Sequence, residues 1–275
     1  GLRCFLGKHL SVDGMERLKA FGKYVLRGER SEGARYLMTH SFQKMQLEIL
    51  DNCDVFLPNA KTEMDQIAAH LGFRTDNYVV VPNAVDVASI KAAKEVESTG
   101  YERFSGWIVC IGRIDIRKNQ LNLIKAVEGS DYKVVFVGKK SPGHIEYANK
   151  VVSEIEANPN MEWIEQIPNE DIYKLCRECR VSVLPSWFET PGLVSLEAAA
   201  MGCNIVVSPK GTTRDYFGDS AFYCDVSSPS SIRAALDEAY GVNYDEVFGR
   251  KVITEYTWEK AAEKTLDGYQ LALKG

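Results

Sequence analysis

Two short segments carry residue types suited to holding a diphosphate between hydroxyl-rich groups. In the first, an apolar run at 107–111 leads into Gly112-Arg113-Ile114-Asp115-Ile116-Arg117-Lys118-Asn119, a glycine followed by three cations within seven residues. Ligands of open α/β sheets bind outside the carboxyl ends of strands, so a phosphate or pyrophosphate fits there. Standing alone, the loop fits a solvent-exposed basic loop equally well. In the second, the run at 181–184 ends in Pro185-Ser186-Trp187-Phe188-Glu189-Thr190-Pro191-Gly192-Leu193-Val194-Ser195-Leu196-Glu197. Pro191-Gly192 is a turn that opens a helix, and free N–H groups at Gly192, Leu193 and Val194 form an anion site without a metal. Glu189 precedes that helix. Glu197 lies one turn beyond Leu193, and its side chain tilts back toward the helix start. Carboxylates accept paired hydrogen bonds from vicinal hydroxyls, so the pair suits a ligand with phosphate in the middle and sugars on both sides. Taken singly, Glu197 is a favourable charge in the first turns of a helix.

These loops need strands behind them and helices after them. Short β-branched runs at 53–57, 78–81, 107–111, 132–137, 161–164, 181–184, 204–207 and 221–223 alternate with segments of helical period, the pattern of an α/β fold with a parallel sheet. A helix is expected at 61–71, where Met64, Ile67, Ala68 and Leu71 share a face and Gly72 supplies the stop. Another is expected from about Asn119. The stretch from Pro82-Asn83-Ala84-Val85-Asp86 to Gly100 has the punctuation of a hinge. The expected organisation is a partial domain at 1–85, a Rossmann-like domain at 86–255 and a final helix at 256–275. In that helix Thr257 is the cap, and Trp258, Ala262, Leu266, Tyr269 and Leu273 form a stripe expected to pack against something substantial.

The 275 residues are 45% hydrophobic, 26% charged and 10% aromatic, which excludes disordered, collagenous and fibrous classes. No uncharged apolar run approaches the roughly 18 residues of a membrane span, and the opening residues lack the pattern of a signal peptide. The chain begins with Gly rather than Met, and a natural start upstream is expected. A net charge of -5 is too acidic for a chain whose main task is to coat nucleic acid. Residues 1–50 nevertheless carry nine basic and five acidic side chains, a flank that could meet anionic lipid or phosphate but that suits a solvated helix face better. Seven scattered cysteines point to a reducing cytosol. Cys176 and Cys179 have CxxC spacing without a second Cys or His pair, so no metal is expected.

A glutamate pair with seven residues between its members, after Pro-Ser and leading into Leu-Glu-Ala, resembles the signature of the retaining glycosyltransferases of family 4, which have the GT-B fold. Further elements match in order. Asp54-Val55-Phe56-Leu57-Pro58-Asn59 resembles the strand closing the family's first domain, and Pro82 to Asp86 its hinge. Gly112-Arg113 with Lys118 resembles its phosphate loop, Gly202-Cys203-Asn204-Ile205-Val206-Val207 its GxPVV strand, and Tyr256-Thr257-Trp258 the start of its closing helix.

The resemblance implies that Arg113 and Lys118, with Gly112 and the backbone of Gly192, Leu193 and Val194, hold the diphosphate of a UDP-sugar or GDP-sugar donor. It implies Glu189 on the sugar hydroxyls and Glu197 on the ribose, with Ile167 also among the donor-binding residues and catalysis resting on Glu189, Lys118 and Arg113. It further implies no cofactor and no metal. The acceptor would be a glycan or lipid-linked molecule. Apart from the resemblance, the cysteine usage points to a cytoplasmic enzyme and the basic flank at 1–50 to peripheral contact at the inner membrane face. Departures from the family pattern are Thr190-Pro191 beside the sugar, Thr212 for a glycine, Asp215 for a glutamate, and Glu165 near the base. They bear on the donor's identity. The family's first strand, much of its acceptor surface and its catalytic-region histidine lie upstream of the matched elements, with His9 the nearest candidate on the acceptor side. The resulting expectation is part of a retaining hexosyltransferase. The alternatives are a GT-B sugar-nucleotide epimerase, which would release no glycosylated acceptor, and a catalytically silent nucleotide-binding scaffold.

Overall fold

The computed structural model describes residues 11–26, 28 and 31–274, which divide into two compact units. His9 and Cys4 lie outside the described residues. One unit takes in the described residues up to Phe56, Met64–Tyr78 and those from Gly268 onward; the other takes in Leu57–Glu63 and Val79–Asp267.

The first unit opens with helices α1 (Val12–Leu26), α2 (Glu32–Thr39) and α3 (Phe42–Asp51). Ser41 starts α3 by accepting a hydrogen bond from the Lys44 amide. Helix α4 (Lys61–Leu71) occupies the span its apolar spacing implies, and Gly72, at φ +71°, ends it by donating to the Ala68 carbonyl. The strands expected at 53–57 and 78–81 do not form. They meet in one parallel bridge, Phe56 to Tyr78, with the Phe56 amide on the Asn77 carbonyl at 3.0 Å. A ladder is extended by flanking strands, and this unit has none among its described residues. An edge-to-face contact between Phe56 and Phe73, 5.5 Å between centroids, packs the bridge instead.

In the second unit, β1 (Ile108–Ile111), β2 (Val134–Val137), β3 (Met161–Ile164), β4 (Val181–Leu184), β5 (Asn204–Val207) and β6 (Phe222–Tyr223) form one parallel sheet ordered β3-β2-β1-β4-β5-β6. Its helices are α5 (Val87–Glu95), α6 (Gln120–Val127), α7 (Ile145–Glu156), α8 (Asn169–Glu178), α9 (Leu193–Met201), α10 (Thr213–Phe217), α11 (Pro229–Gly241) and α12 (Glu246–Glu255). Successive strand residues face opposite sides, so the sheet has two cores. Ile108, Cys110, Val134, Phe136 and Val183 pack against α6, α7 and α11, whereas Val109, Ile111, Val135, Val137 and Leu184 pack against α5, α8, α9 and α12. Burial on both faces is why these strands read as unbroken apolar runs. β1 begins one residue later than expected because the Trp107 amide turns to the Phe104 carbonyl, and the first ladder bond runs from Ile108 to the Lys133 carbonyl.

Helix α13 (Trp258–Ala272) forms with Thr257 accepting from the Lys260 amide, but its apolar stripe is not packed. Trp258, Ala262, Leu266, Tyr269 and Leu273 are exposed. On the opposite side Ala261 and Thr265 are half-buried and Gly268 is buried.

Candidate functional site

The strand order reverses between β1 and β4, and there the sheet opens. β1 pairs with β4 over two residues, Ile108 with Val181 and Val109 with Ser182, whereas β1–β2, β2–β3 and β4–β5 each pair over four. The carboxyl ends of β1 and β4 therefore diverge, the geometry in which open α/β sheets take ligands. Both segments singled out in the sequence leave the sheet at this point.

The loop after β1 is a tight turn. Gly112 has φ +151°, and the Lys118 side chain folds back over it, 3.4 Å from where a Cβ would stand. Ile116–Lys118 forms a single 3-10 turn capped by Asp115, whose Oδ1 accepts from the Arg117 amide at 2.8 Å. Asn119 then takes φ +61°, so α6 starts at Gln120 rather than at Asn119. Behind this loop, Gly138 comes so close that a Cβ there would sit 2.1 Å from the Gly112 carbonyl oxygen. Glycine is required at that contact.

The loop after β4 is knitted to the first. Buried Asn119 donates to the carbonyls of Pro185 at 3.1 Å and Val226 at 2.8 Å, the Trp187 amide donates to the Arg117 carbonyl, and Arg117 Nη1 donates to the Phe188 carbonyl. Lys118 Nζ reaches Glu189 Oε1 at 2.5 Å, with the two side chains only 15% and 7% exposed. A third loop, after β5, holds Glu189 from behind. Thr212 donates its amide to the Glu189 carbonyl, and a Cβ on Gly211 would lie 1.9 Å from that same oxygen. Arg113 is different: its guanidinium is exposed and makes no hydrogen bond or ion pair among the described residues.

Gly192, at φ +82°, stands at the N-terminus of α9 with no side-chain cap, and the amides of Leu193 and Val194 donate to nothing among the described residues. Helix starts of this kind attract anions. Three buried hydroxyls, Ser186 Oγ, Ser195 Oγ and Thr212 Oγ1, also lack partners in this region. Ser195 Oγ is 3.7 Å from the position of a Gly192 Cβ, which places an unpaired donor beside the free helix end.

Glu197 accepts a hydrogen bond from Tyr173 at 3.2 Å, and Asp86 is close enough to act on it. Burial, opposed by the Tyr173 bond and aided by Asp86, pushes its carboxyl above the usual range. Ile167 is half-buried against the α8 and α9 side of the core, beyond the end of β3. Asp215 accepts from the Thr62 amide at 3.0 Å and its hydroxyl at 2.5 Å, Thr62 lying in the Leu57–Glu63 stretch of the same unit. Thus the structure brings Gly112, Lys118, Glu189 and Gly192 together, leaves Arg113 open to solvent, and sets Glu197 and Ile167 on the adjoining side. Asn119 and Gly138 were missed from sequence; a non-glycine at positive φ leaves only the weak signal of an Asn after a basic turn.

Among known proteins, the family model described as "Glycosyl transferases group 1" matches residues 103–243, just over half of the chain and all of the strands from β1 to β6. The chain belongs to this family. Within the glycosyl transferases group 1, it is 25% identical over 264 residues to a D-inositol 3-phosphate glycosyltransferase of Paenarthrobacter aurescens (strain TC1), covering 90% of this chain and 63% of that protein. A glycosyltransferase from Rickettsia africae ESF-5 superposes with a TM-score of 0.73 at 15% identity over 94% of this chain and 81% of its own, and shares the GT-B fold. The E. coli "Trehalose-6-phosphate" structure bound with UDP-2-fluoro glucose superposes with a TM-score of 0.66 at 14% identity, over 83% and 63%. The chain spans about half to two thirds of the length of the first relatives it matches. Among the described residues no helix is long and apolar enough to cross a membrane.

Proposed function

We propose that the sheet-bearing unit holds the diphosphate of a nucleotide sugar at the break between β1 and β4, and that the whole protein transfers the sugar with retention, as a family 4 hexosyltransferase would. One observation carries this reading: a free cation, Arg113, and the Lys118–Glu189 pair stand in the loops of the same crevice as the uncapped start of α9. The residues fit the ligand. Arg113, Lys118 and the amides of Leu193 and Val194 supply donors to phosphate oxygens, and the unpaired hydroxyl of Ser195 adds one more. Glu189 accepts from sugar hydroxyls and Glu197 from the ribose, with Ile167 beside the base.

In the transfer step, the bond between the sugar's anomeric carbon and the diphosphate breaks, and a bond to an acceptor hydroxyl forms on the same face. The diphosphate keeps the electron pair of the broken bond, and its departing oxygen takes the proton that the acceptor hydroxyl loses. In this reading Arg113, Lys118 and the α9 dipole stabilise its charge as fixed donors. The acceptor is proposed to be a sugar phosphate or a glycan or lipid-linked molecule. The name of the Paenarthrobacter relative, which specifies inositol 3-phosphate, supports the first of these.

Transfer from radiolabelled UDP- or GDP-sugars in the full-length protein tests this reading. Glu197→Ala should weaken binding of the free nucleotide. Glu189→Ala should leave that affinity nearly unchanged and lower transfer about ten- to hundredfold, the loss of one charge-assisted hydrogen bond. Abolished nucleotide binding with normal transfer at saturating donor in Glu189→Ala would overturn the assigned roles.

A further inference from the structure

We propose that His144 is a positioning residue for Lys118, acting through Asp115. This rests on the diphosphate reading above and adds the device that sets its lysine. The turn bearing Lys118 is three residues long, too short to hold its own shape, and both carboxylate oxygens of Asp115 are used to fix it. Oδ1 accepts from the Arg117 amide at 2.8 Å, and Oδ2 receives His144 Nδ1 at 3.0 Å. The backbone of Asp115 continues the brace, its carbonyl accepting from the Lys118 amide at 2.9 Å and the Asn119 amide at 3.3 Å.

His144 comes from the other side of the site, at the end of the turn Pro142–His144 that follows β2. That turn is tied to the loop after β1 by backbone bonds. The Ile114 amide donates to the Lys139 carbonyl at 2.9 Å, the Ser141 amide donates back to the Ile114 carbonyl at 3.0 Å, and Ile114 pairs with Lys140 in an isolated parallel bridge. With Gly138 seated against Gly112, the loop after β2 is a fixed wall, and His144, together with Ser141, is a side chain by which the wall grips the Lys118 turn. Burial works against an ionised Asp115, but the Arg117 amide, His144 and Ser141 outweigh it and hold the carboxyl down at about 2. The carboxylate therefore stays charged and fully engaged. His144 itself is 43% exposed and buries little, so its contribution is this hydrogen bond rather than packing.

Removing the His144 ring takes one of the three holds off the Asp115 carboxylate, leaving the Arg117 amide and Ser141, which loosens the 115–118 turn and spreads the Lys118 side chain over several positions. Asparagine at 144 places an amide nitrogen near the site of Nδ1 and restores the bond.

Hydrogen exchange of the 112–119 segment and calorimetric titration with UDP and with GDP are measured on wild type, His144→Ala and His144→Asn. Exchange at Arg117 and Lys118 should rise about tenfold in His144→Ala and return close to wild type in His144→Asn. The nucleotide dissociation constant should rise about tenfold and recover in the same order. Unchanged exchange in His144→Ala, or a His144→Asn variant indistinguishable from His144→Ala, overturns the proposal. Exchange that behaves as expected in a wild type binding neither nucleotide supports the His144–Asp115 brace and counts against the diphosphate reading.

Discussion

Lys118 Nζ and Glu189 Oε1 meet at 2.5 Å across the only reversal of strand order in the sheet. Each residue arrives on a loop from a different strand, and each neutralises the other where water has little access. The pair thereby closes the crevice between β1 and β4 at its base and presents a cation and a carboxylate side by side.

Removing one partner leaves an uncompensated charge in a poorly solvated place. Lys118→Ala is expected to destabilise the chain by about 3 kcal/mol, at the low end for buried pairs because Lys118 keeps some contact with solvent. The double variant Lys118→Met with Glu189→Leu should recover most of that loss. Urea midpoints of Lys118→Met, Glu189→Leu and the double variant measure it, and strictly additive losses would contradict the coupling.

Gly138 and Gly211 fix the loops at either side of this pair. Gly138→Ala or Gly211→Ala should each cost roughly 1–3 kcal/mol, because the new methyl strikes a carbonyl oxygen and the backbone stands at positive φ. Gly143→Ala, with open space around the new carbon, should be nearly neutral. Thermal unfolding of the three variants separates these outcomes; equal midpoints would show that the loops yield.

Glu197 gives a pH dependence of known sign. Its carboxyl lies above the usual range in the folded state, so its contribution to stability is full below about pH 4.3 and is lost as pH rises through the folded value. Glu197→Gln removes that loss. The difference in urea midpoint, variant minus wild type, should grow from acidic pH toward neutrality, and a difference independent of pH would contradict the assignment.

Helix α1 exposes Leu18, Phe21, Val25 and Leu26 and carries Arg17, Lys19 and Lys23. We propose that this helix meets anionic lipid, each cation near the surface adding about 1 kcal/mol. The chain should sediment with phosphatidylserine-containing vesicles at low salt more than with neutral ones, and Phe21→Glu should abolish the difference. Equal sedimentation with both vesicles would remove this contact from the account.

The strands that carry the site were legible because burial on two faces writes an unbroken apolar run, as in Val134 to Val137 and Val181 to Leu184. The loops after them were legible because Gly112, Lys118, Glu189 and Gly192 are residue types whose chemistry is local. What could not be read was long-range. His144 meets Asp115 from 29 residues away through a neighbouring strand's loop, and Gly138 looks ordinary until Gly112 lies against it. The stripe on α13 was read correctly as a line of apolar residues and wrongly as a buried one, since periodicity locates a face without saying what covers it. Likewise, the runs at 53–57 and 78–81 have strand composition, but composition supplies no partner.

The central claim is that the crevice between β1 and β4 holds a nucleoside diphosphate. Isothermal calorimetry of the chain with UDP and with GDP tests it most directly, since every proposed phosphate ligand belongs to the sheet-bearing unit. One of the two should bind with a submillimolar dissociation constant, weakened about tenfold or more in Lys118→Ala and in Arg113→Ala. Absence of binding to both at millimolar concentration, or equal affinity in wild type and both variants, would contradict it.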